Sequence, residues 1–261
     1  MVKRIAINYF NKLRGIHGWY RYQGFWIRTP PKSLANQLNN DEMYELPSLM
    51  IIREQVEKSQ HCIDVGANIG LITLEFARCV GSDGKVSAFE PHPENFSTLV
   101  DNIAANHLSK IVNVTQVGCS DKNFKGFLSS ENQTDGSYRL ESKENGSVPK
   151  VKCMSLDDCI EVHSKVNFIK VDVEGHELKV LQGAKKILSD SSTLQILIEF
   201  HPYQISQQKE CFASELIDLL LNYEFSILDT GMGNKKVEKY ELFDRYTVEN
   251  RGLTNLWCTR M

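Results

Sequence analysis

The stretch Asp64-Val65-Gly66-Ala67-Asn68-Ile69-Gly70 joins an apolar, strand-like run to a segment with helical spacing. Glycine in such a turn permits backbone angles closed to other residues and lets a ligand come close to the chain. A helix that starts just after it has amides without intrahelical partners and a partial positive charge. Together these features hold nucleotide-like ligands at the carboxyl end of a parallel sheet. Glu90, twenty positions beyond Gly70, ends the next strand-like run and is followed by Pro91. A carboxylate there can accept hydrogen bonds from both hydroxyls of a ribose. Cofactor contacts are therefore expected from Asp64, Gly66, Ala67, Asn68, Gly70, Glu90 and Pro91.

The turn reads Gly-x-Asn-x-Gly and lacks the Gly-x-Gly-x-x-Gly pattern of a pyrophosphate site. Asp64, two residues before the first glycine, would repel a pyrophosphate and attract a cation. Adenosylmethionine, with its sulfonium and amino group, matches that charge better than NAD does. An NAD-dependent oxidoreductase is thus the weaker alternative, and a catalytically silent adenosylmethionine-binding scaffold is another.

A second set of acids stands at the ends of two later strand-like runs: Asp172 at the end of Phe168–Val173, and Glu199 with His201 at the end of Leu194–Phe200. Carboxyl ends of strands face the ligand crevice in open α/β sheets, and residues two apart in a strand share a face. Asp172, Glu199 and His201 are therefore the expected catalytic group. Asp172 and Glu199 could instead hold Mg²⁺ or another divalent cation that polarises a hydroxyl. Oxygen ligands alone would favour Mg²⁺, and a histidine a transition metal. His201 or His176 could act as a base, since an ordinary imidazole titrates at about pH 6.5. Plainer roles also exist. Asp172 and Glu174 could cap the helix that begins near Gly175, and Glu177 could answer its dipole. His176 reads as a surface residue of that turn. Lys170 is expected to pair with an acid or reach solvent, without a catalytic role. His17, His61, His92, His107 and His163 read as structural or exposed.

These residues need a scaffold that brings strand ends together. From His61 onward, apolar runs alternate with helically spaced segments, which implies a mostly parallel sheet with helices on both faces. The polar stretch 121–152 reads as extra short strands with loops, and Ser155–Val162 as a short helix. Phe225–Asp229 and Leu256–Arg260 read as a hairpin at the sheet edge. A helix is expected over Pro47–Lys58. Residues 1–46 are expected to form a helical arm or cap, and residues 47–261 the main domain. The arm is basic and aromatic (Arg14, Trp19, Arg21, Trp26), which suits contact with a membrane surface or an acidic partner or, more plainly, a solvated helix followed by an ordered arm.

The 261 residues carry a formal net charge of -3, with 41% hydrophobic and 24% charged residues. That is ordinary for a globular domain and argues against a nucleic-acid binder. The seven cysteines are odd in number and widely spaced, without a C-x-x-C pair. They suggest no disulfide framework or zinc site, and a cytoplasmic setting by default. No signal-peptide core is evident, and the longest apolar runs fall well short of the roughly 20 residues that span a bilayer.

The motifs resemble those of the FkbM family of methyltransferases. The likeness runs through Ile63–Gly70 and Phe89-Glu90-Pro91. It is densest in Phe168-Ile169-Lys170-Val171-Asp172-Val173-Glu174-Gly175-His176-Glu177, continues to Val180-Leu181-Gln182-Gly183-Ala184, and takes in Ser155-Leu156-Asp157-Asp158. It covers roughly His61 to His201. The resemblance implies a Rossmann-like class I methyltransferase sheet of seven strands, order 3-2-1-4-5-7-6, with one antiparallel strand. It also implies adenosylmethionine as donor and O-methylation of a small-molecule or carbohydrate acceptor.

Overall fold

The computed structural model describes residues 19–29, 45–129, 139–141, 149–161, 164–190, 192–208 and 212–260. His17 and His163, and most of the expected arm, lie outside them.

The alternation after His61 becomes strands β3 (His61–Val65), β4 (Lys85–Phe89), β5 (Val112–Thr115), β10 (Phe168–Val171) and β11 (Gln195–Phe200), all parallel. Past β11 come β14 (Thr254–Thr259), β12 (Ser226–Asp229) and the two-residue β13 (Lys235–Lys236). The sheet runs β5-β4-β3-β10-β11-β14-β12-β13. Its seven longer strands, counted along the chain, follow 3-2-1-4-5-7-6. The short β13 makes an eighth strand that the sequence pattern did not announce. β14 pairs antiparallel with both β11 and β12, so it lies inside the sheet, and the hairpin expected at the edge is one strand further in. β13 is also antiparallel to its neighbour.

Both faces of the sheet are covered, and strand periodicity sorts the side chains between them. Ile63, Ile169, Ile196 and Ile198 face one core, with Leu178, Leu181, Leu188 and Leu216. Those leucines come from α5 (Glu177–Gln182), α6 (Lys185–Asp190) and α8 (Ala213–Asn222). Cys62, Phe168 and Leu197 face the other core. There they meet Leu49 and Ile52 of α1 (Leu46–Gln55), Leu74 and Phe76 of α2 (Leu71–Val80), and Leu99 of α3 (Pro93–Ala105). Pro47 starts α1, where a missing N–H costs nothing. Leu156–Cys159 makes a single helical turn, α4. No helix among the described residues is long and apolar enough to cross a membrane.

Two additions decorate this core. Residues 19–28 form a β-hairpin where a helical arm was expected: β1 (Trp19–Tyr22) and β2 (Phe25–Arg28). Gln23 and Gly24 both have positive φ, 48° and 93°, the requirement of a tight two-residue hairpin turn. The hairpin docks on α3 through two asparagines one turn apart. Asn102 Oδ1 accepts from Arg28 N at 2.6 Å, and Asn106 Oδ1 accepts from Trp26 N at 2.9 Å. Their amides donate back to the same residues' carbonyls. Asn102 also donates to Ile69 O at 2.7 Å, which ties the hairpin to the glycine turn. The second addition is a four-stranded sheet, order β6-β9-β7-β8. It is built from β6 (Gly118–Ser120), β7 (Phe124–Ser129), β8 (Arg139–Glu141) and β9 (Lys150–Ser155), in the region read as extra short strands.

Candidate active site

The glycine turn sits where the sheet order reverses between β3 and β10. Gly66 has φ +81°, and a Cβ on it would lie 1.8 Å from the carbonyl oxygen of Asp172. Only a residue without a side chain lets the ends of β3 and β10 come this close. The amides of Gly66 and Ala67 both donate to Phe89 O at 3.0 Å. Asn68 N donates to Glu90 Oε2 at 2.9 Å, and Gly70 N to Ala67 O at 2.8 Å. The open amides expected in this turn are thus spent on the protein itself, which leaves little for a pyrophosphate. Gly70, φ +98°, packs against Leu99 and shapes the turn without lining the cavity, which corrects its expected contact role.

A cavity of about 350 Å³ opens above the turn, within the usual size of small-molecule sites. Asp64, Gly66, Ala67, Asn68, Glu90 and Pro91 all line it. One part of the wall is apolar: Phe89, Val117, Cys119, and Leu128 and Leu140 from the accessory sheet. Another part is charged: Glu45, Asp64, Asp172, Glu174 and Lys170.

Burial raises the carboxyls of Asp64 and Glu90 to about 7. Thr73 Oγ1 donates to Asp64 Oδ2. Glu90 is gripped at both oxygens, Oε2 by Asn68 N and Oε1 by His92 N at 2.8 Å. Each carboxylate oxygen has a second lone pair, so Glu90 is held in place and can still accept from a ribose. Asn68 Oδ1 is buried and has no hydrogen-bond partner among the described residues, so it too can accept from a ligand. Glu90→Ala is expected to weaken S-adenosylhomocysteine binding by about 1–3 kcal/mol. Calorimetry on the two chains checks this, and equal affinities would remove Glu90 from the site.

At the end of β10 the structure departs most from the sequence reading. Lys170 is buried, 1% exposed, and its Nζ lies 3.1 Å from Asp172 Oδ2 and 3.1 Å from Asn255 Oδ1 of β14. Burial alone would lower its pKa, but the charges of Asp172, Glu45 and Glu199 outweigh that and push it up to about 12. The ammonium is therefore held positive. It occupies the flank of Asp172 where a metal ion had been expected. Among the described residues no three His, Cys, Asp or Glu side chains are gathered to hold a metal.

The expected catalytic trio does not converge either. Asp172 lines the cavity, and Glu199 and His201 do not. Burial, and the charges of Asp172, Glu177 and Glu174, raise the Glu199 carboxyl well above the ordinary range. It neighbours the Lys170–Asp172 pair, outside the cavity wall. His201 leaves the strand, with ψ 86°, to stand at the N-cap of α7 (Pro202–Gln207). Its ring lies 6.1 Å from that of Tyr203. Neither Asp172 nor Glu174 caps α5, whose start has no side-chain cap; Glu177 Oε1 instead ties down the loop before it, accepting from Val173 N and Gly175 N at 3.1 Å each. His176 is buried beside the cavity, not exposed, with Nε2 2.9 Å from Ser120 Oγ. Burial lowers it to about 4, so it is neutral at pH 7.

Lys170 carries more of the site than its sequence context suggests. Its signal was present: a lysine in an otherwise apolar strand, two positions before an acid and so on the same face. Glu45, Leu128, Leu140 and Asn255 were beyond reach, because only the tertiary fold brings them to β10 or to the cavity.

A doubly wound sheet with this strand order, and a cavity at its switch point gripped by Gly66 and Glu90, is the architecture of class I methyltransferases. The fold compares with precorrin-6y C5,15-methyltransferase from Geobacter metallireducens. That likeness has a TM-score of 0.51 at 9% identity, over 90% of this chain and 94% of that one. Residues 64–227 match the methyltransferase FkbM domain, and the chain belongs to that family. It is 31% identical over 156 residues to the hexuronic acid methyltransferase AglP of Haloferax volcanii, covering 59% of this chain and 61% of the relative. It is 32% identical over 143 residues to methyltransferase 1 of Beauveria bassiana, covering 46% of this chain and 57% of that one. The chain thus spans about three fifths of the length of these curated relatives.

Proposed function

We propose that the chain transfers a methyl group from adenosylmethionine to a hydroxyl of a carbohydrate-containing acceptor. The two-sided cavity carries this reading: an apolar wall suited to a purine, Glu90 at the ribose position, and an acidic wall suited to a cationic ligand. The family supports the donor, and the hexuronic acid methyltransferase among the relatives supports the acceptor class. The six described cysteines are free thiols, which suits the cytoplasmic setting included in the proposal.

When bound, adenosylmethionine supplies an electrophilic methyl carbon on a sulfonium. Residues Gly66–Asn68 and Glu90 fix the nucleoside, and Asp64 and Asp172 favour positive charge near them. Asp172 is the proposed base. It accepts the acceptor's hydroxyl proton as the oxygen lone pair forms the new bond to the methyl carbon. The electrons of the broken carbon–sulfur bond stay on sulfur. Alignment of the two partners supplies much of the acceleration.

Calorimetric titration with S-adenosylhomocysteine, with NAD as control, tests the cofactor assignment. Binding of the first alone supports it, and binding of NAD alone overturns it. Asp64 and Glu90, raised to about 7 by burial, add a pH signature. A cationic, hydroxyl-donating ligand stabilises their ionised forms, so binding lowers their pKa and releases protons. Adenosylmethionine affinity is therefore expected to rise between about pH 6 and about pH 7.5. Titrations in buffers of different ionisation enthalpy count the protons. No release in that range would contradict the assignment of these carboxyls to the cofactor.

A further inference from the structure

We propose that Lys170 is a positioning residue for methyl transfer: its buried ammonium fixes Asp172 Oδ2 so that the carboxylate is presented to the acceptor's hydroxyl. This rests on the reading of function above. Both line the cavity, but Asp172 keeps 29% of its side-chain surface and Lys170 only 1%, so the anion is the open member of the pair and the cation is set deep in the wall. The ammonium is held on the other side by Asn255 Oδ1. The register of β3 and β10 sets Lys170 beside Asp64, and Leu197 of β11 is its neighbour on the other flank. Acids thus face the lysine from β3, from β11, from the turn before α1 and from its own strand end: Asp64, Glu199, Glu45 and Asp172.

Packing gives no reason for a cation here. Phe168, on the same face of the strand, is buried in the apolar core, and burying an ammonium costs far more than burying a methionine of similar size. What the lysine adds is charge and direction. Without it, Asp172 would stand among Glu45, Asp64 and Glu199 with no cation to hold it. Protonation of Asp172 or withdrawal from the cavity would then relieve the repulsion. Either outcome removes the proton acceptor while leaving Glu90 and the glycine turn as they are.

The test uses the 261-residue chain with Lys170→Met and Lys170→Arg. Methyl transfer from labelled adenosylmethionine is measured to phenyl glucoside and phenyl glucuronide, and S-adenosylhomocysteine affinity is measured by calorimetry. Lys170→Met is expected to lower kcat about a hundredfold, the scale of general-base catalysis, with KM for adenosylmethionine within about threefold. Lys170→Arg, which restores the charge, should recover to within about tenfold of the wild type. In an Asp172→Asn background, Lys170→Met should add less than about twofold, because both act at one step. Should the methionine variant not fold, Lys170→Gln carries the same expectation. A kcat within about threefold of wild type in the neutral variant overturns the inference alone. So does an equal loss in the arginine and neutral variants together with lost S-adenosylhomocysteine binding, which marks a structural role. Transfer by the wild type to neither glycoside overturns the reading of function, and this inference with it.

Discussion

Asp172→Asn will nearly abolish methyl transfer while the chain still binds S-adenosylhomocysteine. The substitution keeps the shape of the side chain and removes its ability to take a proton. Asp172 lines the cavity and stands directly after β10, anchored by the ammonium of Lys170 at 3.1 Å. Its backbone amide donates to Val65 O at 3.0 Å, so its main chain is fixed independently of the side chain. A loss of about 10²–10⁴ in kcat is the scale expected for a general base. Cofactor affinity should stay within about threefold, since Glu90 and the turn are untouched. Steady-state kinetics on the substituted chain, alongside calorimetry, separates the two effects. An unchanged kcat would take the proton-accepting role from Asp172.

Gly66→Ala should strongly destabilise the fold. The added Cβ would meet the Asp172 carbonyl oxygen at 1.8 Å and its carbon at 2.9 Å, at a φ of +81° that side chains rarely adopt. Both obstacles are backbone, so no rotamer change relieves them. β3 and β10 would have to part at the point where the cavity forms. A destabilisation of at least about 3 kcal/mol is expected, with loss of S-adenosylhomocysteine binding. Gly233→Ala is the control. Its φ is +69°, but a Cβ there would meet nothing within 4 Å, so only backbone strain of about 1 kcal/mol applies. Urea unfolding of both variants decides the matter. Equal, small losses would mean that the strand ends yield more easily than the geometry indicates.

The contrast between cofactor half and acceptor half explains what the sequence could reveal. The strand–turn–helix of residues 61–80 and the acid at Glu90 are local features. Their period and spacing are written within thirty consecutive residues, and six of the seven residues expected at the cofactor do line the cavity. Gly70 does not, because a glycine needed for a turn and one needed for ligand approach look alike in sequence. The proposed catalytic end draws on β10, β11, β14 and the turn before α1, which are far apart along the chain. Strand period placed Glu199 and His201 on one face, but β11 ends at Phe200 and the backbone at His201 swings into a helix cap. The hairpin at 19–28 was missed because its four-residue strands are too short to display a period, and its turn depends on Gln23 accepting a positive φ.

The interior place of β14 also bears on how the protein matures. Residues 254–259 fill the slot between β11 and β12, and Asn255 on that strand holds the lysine beside Asp172. During synthesis, β3, β4, β5, β10 and β11 can pair as they emerge. The strand that separates β11 from β12 arrives after both of them. A nascent chain arrested before residue 254 would therefore carry a finished glycine turn and an unfinished catalytic end. It would also expose the long, unpaired edge of β11 to other chains. Capacity to bind the cofactor and capacity to use it should thus appear at different moments of translation.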